Sequence, residues 1–174
     1  MYTFVLPLMK SPNPVGRIGP LRWQDWYRAC EAAVLIQRWA GSAQCALLVV
    51  SGFEEPGFFE RDFQREALGK LGGQNTIVIP EGFETIGQIE AALNRVRENN
   101  AQLVVVSSLS HFPRVWWLTR NEKNVSHRVI FGIPRPQELM TDLILDVVFP
   151  IVDVLGWRQW FLEKTAVRRE NGKL

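Results

Sequence analysis

The run CALLVVSG, residues 45–52, decides the fold. Every position of its first six residues, Cys45–Val50, is apolar, so a strand built from them has no face to turn toward water. Runs of that kind belong to parallel sheets covered by helices on both sides. Ser51 and Gly52 then end the run with a hydroxyl and a residue lacking Cβ. They lie at the strand end where open α/β sheets take their ligands.

Similar short runs lie on either side of this stretch. Residues 3–8 (TFVLPL), 76–79, 103–106 and 127–131 read as four further strands. The segments between them show helical spacing instead. Asp25 marks an N-cap region for a helix over 26–39, with Ala29, Ala32, Ala33, Ile36 and Trp39 on one face, and Gly41 ends it. Residues 58–71 form a helix stopped by Gly72 and Gly73, and 86–98 form one with Ile89, Ala92, Leu93 and Val96 inward. Another helix begins near Ser110. Strands alternating with helices predict a three-layer, doubly wound α/β fold around a mainly parallel five-stranded sheet. The boundaries read as one domain over 1–165, with a C-terminal helical segment at 136–165 and a polar, frayed tail at 166–174.

Bulk composition narrows the function classes. The chain has 174 residues, 47% hydrophobic and 22% charged, which excludes the disordered class and suits one core. A net charge of +2, with basic residues scattered along the chain, argues against nucleic acid as a partner. Cys30 and Cys45 sit on apolar elements without metal spacing and read as core residues in a reduced, cytoplasmic compartment. Residues 1–9 are apolar but lack a basic leader, so no signal peptide is read there.

Residues 139–155 look membrane-like until their aspartates are placed. Asp142, Asp146 and Asp153 share one helical face. Each would cost about 2.5–3.5 kcal/mol at a bilayer centre, which argues against a transmembrane segment. The pattern predicts an amphipathic helix whose other face meets the core or a partner. Trp157, Trp160 and Phe161 follow at helical spacing and offer a surface for the domain, a homodimer or peripheral membrane contact.

Four loops fall at the carboxyl edge of the predicted sheet: 9–22, 51–57, 80–85 and 107–114. The last, inside LVVVSSLSHFPR, carries the most chemistry. Ser110 reads as the N-cap, with His111 first in the helix and Pro113 in its first turn. His111 and Arg114 then share a face. A helix N-terminus favours phosphate or carboxylate, arginine adds a fork of donors, and histidine can exchange a proton near neutral pH. If the first and fourth strands are neighbours, Lys10 and Arg17 approach His111. Ser51 and Gly52 resemble a backbone nest, and Glu60 opens the following helix, where a carboxylate complements the dipole. The ordinary alternatives are a capped helix with surface side chains and a common strand–glycine junction. The chain has no GxGxxG, Walker A loop, GxSxG elbow or cysteine–histidine cluster, so no metal set and no cofactor is assigned.

Together these loops resemble the domain-of-unknown-function family that includes the bacterial envelope proteins SanA, ElyC and YdcF. Arg28 and Ala32 fit its first helix, residues 48–52 its strand–SGG junction, and Glu60 its acidic helix start. Thr85 and Gln88 fit its T-x-E-N segment, and Ser107, Ser108, His111 and Arg114 its T-S-x-x-H-x-x-R end. Glu138 fits a glutamate near the family's final helix. Phe53 replaces the second glycine of SGG, and Gly87 with Gln88 replaces the Glu-Asn pair. The resemblance implies a Rossmann-like fold and a phosphorylated or nucleotide-like small ligand, held by Lys10, Ser51, Gly52, Glu60, Thr85, Gln88, Ser107, Ser108, Ser110 and Arg114. His111 would be the acid or base of any reaction. The degenerate loops equally fit a binding module without chemistry, and the C-terminal aromatic residues fit an oligomerising scaffold.

Overall fold

A computed structural model describes residues 1–8, 20–52, 54–55, 58–82, 85–131, 136–161 and 163–164. In chain order the elements are β1 (Thr3–Pro7), α1 (Pro20–Ala40), β2 (Cys45–Val50), β3 (Glu54–Glu55), β4 (Phe58–Phe59), α2 (Glu60–Lys70) and β5 (Thr76–Ile79). Then come α3 (Thr85–Glu98), β6 (Gln102–Ser108), α4 (Phe112–Thr119), β7 (Val125–Ile130) and α5 (Pro136–Val154). Five strands form one all-parallel sheet in the order β5-β2-β1-β6-β7, and β3 with β4 makes a separate two-residue antiparallel pair. This is the three-layer α/β architecture that the alternation of apolar runs implies.

Strand alternation assigns each face its helices. Ala46, Leu48 and Val50 of β2 and Leu103 and Val105 of β6 pack with Ala92, Leu93 and Val96 of α3 and Val115 of α4. Cys45, Leu47 and Val49 of β2 and Val106 of β6 pack with Ala29, Cys30 and Ala33 of α1 and Leu68 of α2. All six residues of β2 are buried, as a strand apolar on both faces must be. Both cysteines are free and buried.

The strand order also fixes where a ligand belongs. From β1 the chain proceeds outward to β2 and β5, then returns to β6 on the other side of β1. The switch point therefore lies between β1 and β6, and the crevice at their carboxyl ends is the binding position of such sheets. At that edge Leu8 N–H donates to Val106 C=O at 2.8 Å, carrying the β1–β6 pairing to the end of the strand.

Several details differ from expectation: residues 58–59, expected at the start of a helix, form β4, so α2 starts at Glu60, and β7 starts at Val125 instead of residue 127. α1 begins at Pro20 rather than near residue 26, because proline suits the first helical turn. β6 runs on through Ser107 and Ser108, which pair with Val129 and Ile130 of β7. The aspartate face of α5 turns toward α4, while its apolar face stays exposed. The cause is electrostatic. Arg114 is buried and needs a counter-charge, and Asp142 supplies it. On the same face, in the last turn of α5, Asp153 accepts from Trp117 Nε1 at 3.0 Å and pairs with Arg120 at 3.6 Å.

Candidate functional site

The site is built where β6 turns into α4. His111, not Ser110, occupies the N-cap of α4, and no side chain caps this helix. Ser110 instead donates to Asp142 Oδ2 at 3.0 Å, which explains the shift by one residue. Pro113 stands in the first turn, where a missing N–H costs nothing. The backbone N–H groups at the start of α4 thus receive no side-chain acceptor from the cap position.

His111 is buried, with both ring nitrogens engaged. Nδ1 contacts Arg114 Nη2, and Nε2 lies 3.0 Å from Thr85 Oγ1 at the start of α3. A guanidinium has donors only, so Nδ1 must accept from Arg114. The neutral imidazole then carries its proton on Nε2 and donates to the Thr85 oxygen. Thr85 keeps its own hydroxyl proton to give elsewhere. In this arrangement His111 orients Thr85 and does not act as a base upon it.

Arg114 continues the chain of contacts. Its Nη2 lies 3.3 Å from Asp142 Oδ1, both side chains being nearly inaccessible, and its guanidinium stands 5.3 Å from the Phe149 ring centroid. Ser108 and Ser110 hydroxyls are 3.3 Å apart, so the network runs from Thr85 through His111, Arg114, Asp142 and Ser110 to Ser108. Asp142 was legible in the sequence only as one of three aspartates on a stripe. Nothing in the spacing of residues 114 and 142 links them; the turn of α5 onto α4 does.

Ser107 stands apart from this network. It is fully buried, and its hydroxyl has no hydrogen-bond partner among the described residues. By the alternation of β6 it belongs to the face of Leu103 and Val105, the side covered by α3 and α4. A buried hydroxyl left unpaired costs about 1–3 kcal/mol.

The remaining candidates form a second group. Ser51 donates to Glu60 Oε2, and Gln64 Nε2 donates to Glu60 Oε1 at 3.4 Å. Ser51 and Glu60 lie on the α1/α2 side of the sheet, by the alternation of β2 and the packing of α2. The structure therefore places Ser51 and Glu60 together but across the sheet from Ser107. Gly52 joins the two groups, since its N–H donates to Gly82 C=O at 3.1 Å in the loop that leads into α3. Gly82 has φ +83°, and a Cβ there would stand 2.7 Å from Gln88 N, so only glycine lets this loop lie against the first turn of α3. Gln88 is buried in that turn. Lys10, Arg17 and Phe53 lie outside the described residues, as does the side chain of Glu138. Arg28 donates to Phe131 C=O at 3.1 Å, just past the end of β7.

A second histidine belongs to the packing. His127 Nε2 is 2.8 Å from Thr119 Oγ1, whose own proton goes to Val115 C=O at 2.8 Å. Burial pushes the His127 pKa down from its ordinary 6.5. Among the described residues no three metal-ligating side chains of the His, Cys, Asp or Glu type converge. Comparison with protein-family models, with curated proteins and with solved structures gives no match.

Proposed function

We propose that the protein binds a small phosphorylated or nucleotide-like molecule at the carboxyl edge of its sheet, in the crevice between β1 and β6. One observation carries this reading. The start of α4 has no side-chain cap, and four residues upstream Ser107 offers a buried hydroxyl with no partner among the described residues. Free N–H groups and a positive helix end attract an anion, and Ser107 and Thr85 add hydroxyl donors within the same crevice. Lys10 follows β1 in the sequence, the strand beside β6, and in this reading supplies a positive charge for the anion. Arg114 contributes little net charge of its own because Asp142 balances it. Its role is to hold His111, which in turn aims Thr85.

The resemblance to the SanA, ElyC and YdcF family is part of this proposal. It rests on Ser107, Ser108, His111 and Arg114, which span the junction from β6 to α4. The hydrogen bonding of His111 favours binding over acid–base chemistry at this site, since its protonated Nε2 already serves Thr85.

A thermal-shift panel of inorganic phosphate, sugar phosphates and nucleoside phosphates tests the proposal. A ligand at about 100 times its Kd should add about 2.7 kcal/mol of stability. For a chain of this length that is a rise of roughly 5–10 °C in Tm. Ser107→Ala and Thr85→Val should remove most of the rise while leaving the unliganded Tm within a few degrees. A panel without any response, or one to which both variants respond as the wild type does, would sink the reading.

A further inference from the structure

Among the described residues, the exposed face of α5 is the longest apolar stripe left open to solvent. Every residue described as exposed between positions 139 and 157 is apolar or glycine. Met140, Ile144, Val147, Ile151 and Val154, each more than half exposed, run along its centre, with Leu139, Leu143 and Leu155 widening the stripe. At 100° per residue the stripe spans about 160°, wider than a coiled-coil seam. Contiguous exposed apolar surface of this kind marks an interaction site.

We infer that α5, with the segment that follows it, lies on the surface of an anionic lipid bilayer. Two features select lipid over a second protein. Protein interfaces surround an apolar centre with a polar rim, yet among the described residues the exposed stripe carries no charged side chain. Asp142 and Asp153 of this helix meet Arg114, Arg120, Trp117 and Arg158 of the protein itself. Charge appears where the stripe ends. Arg158 is held by Glu90 and Asp153, but the sequence over residues 159–174 holds four further basic residues (Lys164, Arg168, Arg169 and Lys173) against two acidic ones, which suits anionic headgroups. Trp157 and Trp160 stand at that boundary, 56% and 55% exposed, where tryptophan prefers the interface between hydrocarbon and water.

The helix lies on the membrane and does not cross it. Among the described residues no helix is long and apolar enough to span a bilayer. α5 turns at Gly156, whose φ of +72° lets Trp157 N–H reach Val152 C=O at 2.9 Å. The chain then folds back, and Phe161 meets the Phe149 ring edge-on at 5.1 Å. Both arms can thus present Ile151, Val154, Trp157 and Trp160 to one plane, in the manner of an interfacial amphipathic helix.

Vesicle flotation with the full chain tests this. Wild-type protein should float with vesicles of phosphatidylcholine containing about a quarter phosphatidylglycerol, and at least ten-fold less with phosphatidylcholine alone or in high salt. The double variant Ile144→Asp with Val147→Asp should lose at least ten-fold in partitioning with unchanged circular dichroism. Trp39→Asp, on an exposed residue of α1, should float like the wild type. Quenching by brominated lipid reads the same contact without a charge substitution, and Trp157→Phe with Trp160→Phe should reduce it. Folded wild-type protein that stays unbound with both vesicles overturns the inference. So does a dimer, by light scattering, that the double variant dissociates while vesicles capture nothing. Equal binding to both vesicles overturns the role of the basic residues.

Discussion

The Arg114–Asp142 pair offers the sharpest energetic test, because both charges are removed from water and held by each other. At 3.3 Å and an effective dielectric of about 20, their attraction is about 5 kcal/mol. Asp142→Asn keeps the shape and takes the Asp142 charge away from the buried guanidinium. Breaking a buried pair from one side costs about 3–5 kcal/mol. For 174 residues that is a fall of roughly 6–20 °C in Tm. Removing both charges should cost far less, because an apolar pair of similar volume is often as stable as a buried ion pair. Urea unfolding of Asp142→Asn, Arg114→Met and the double variant Arg114→Met with Asp142→Leu gives the coupling. The double variant should lie within about 2 kcal/mol of wild type, well below the sum of the singles. If Asp142→Asn costs under about 1 kcal/mol, or the losses simply add, the pair does not hold α5 on α4.

Other consequences can be checked on the same protein. Burial holds His127 below its ordinary pKa of 6.5, so the unfolded chain takes up its proton first as pH falls. Its contribution is therefore fully present above 6.5 and shrinks as pH drops through that value toward the lower folded one. The stability gap between wild type and His127→Gln should narrow between about pH 8 and pH 5.5, and a gap that widens would contradict the sign. Gly41 and Gly82 share φ +83°, but only at Gly82 does a Cβ collide, so Gly82→Ala should cost at least about 1 kcal/mol more than Gly41→Ala in chemical denaturation. Equal losses would mean that the loop does not need its close approach to α3. Burial raises the Cys30 thiol to about 12 and also raises Cys45, so neither should react with a thiol reagent until the protein unfolds. Rapid labelling of the native protein would show that α1 opens away from β2.

Much of the fold was legible because two strands are apolar on both faces. Residues 45–50 and 76–79 were bounded correctly from sequence alone, since a polar residue or turn signal closes each run at both ends. Serine at a strand end was harder to read. Ser107 and Ser108 lack the β-branched signature, yet they extend β6 because Val129 and Ile130 are there to pair with. Of the two-residue pair β3–β4, residues 54–55 were read as loop and 58–59 as the start of the following helix, as pairs that short leave no periodicity. Hydrophobic spacing gave α5 two distinct faces but not which one meets the protein. That choice depends on a buried arginine 28 positions away, and a one-dimensional pattern does not carry such a contact.

The candidate site was read in part. The serines, His111 and Arg114 were found as a cluster because they lie close together in sequence where β6 passes into α4. Thr85 reaches His111 only through the fold, at 3.0 Å. Ser51 and Glu60 were grouped with them by sharing an edge, whereas strand alternation puts them on the opposite side of the sheet from Ser107. The tautomer of His111 follows from the donor-only chemistry of Arg114, which needs coordinates to be seen.

The central claim is that a phosphorylated ligand sits at the start of α4, and amide chemical shifts test it most directly. Isotope-labelled protein is titrated with the best phosphate compound from the thermal panel. The account predicts saturable shifts at the amides of Ser107, Ser108, Phe112 and Arg114 and at Thr85, all lost in Ser107→Val. Shifts centred elsewhere on the fold, or saturable shifts at these amides that survive Ser107→Val unchanged, would contradict it.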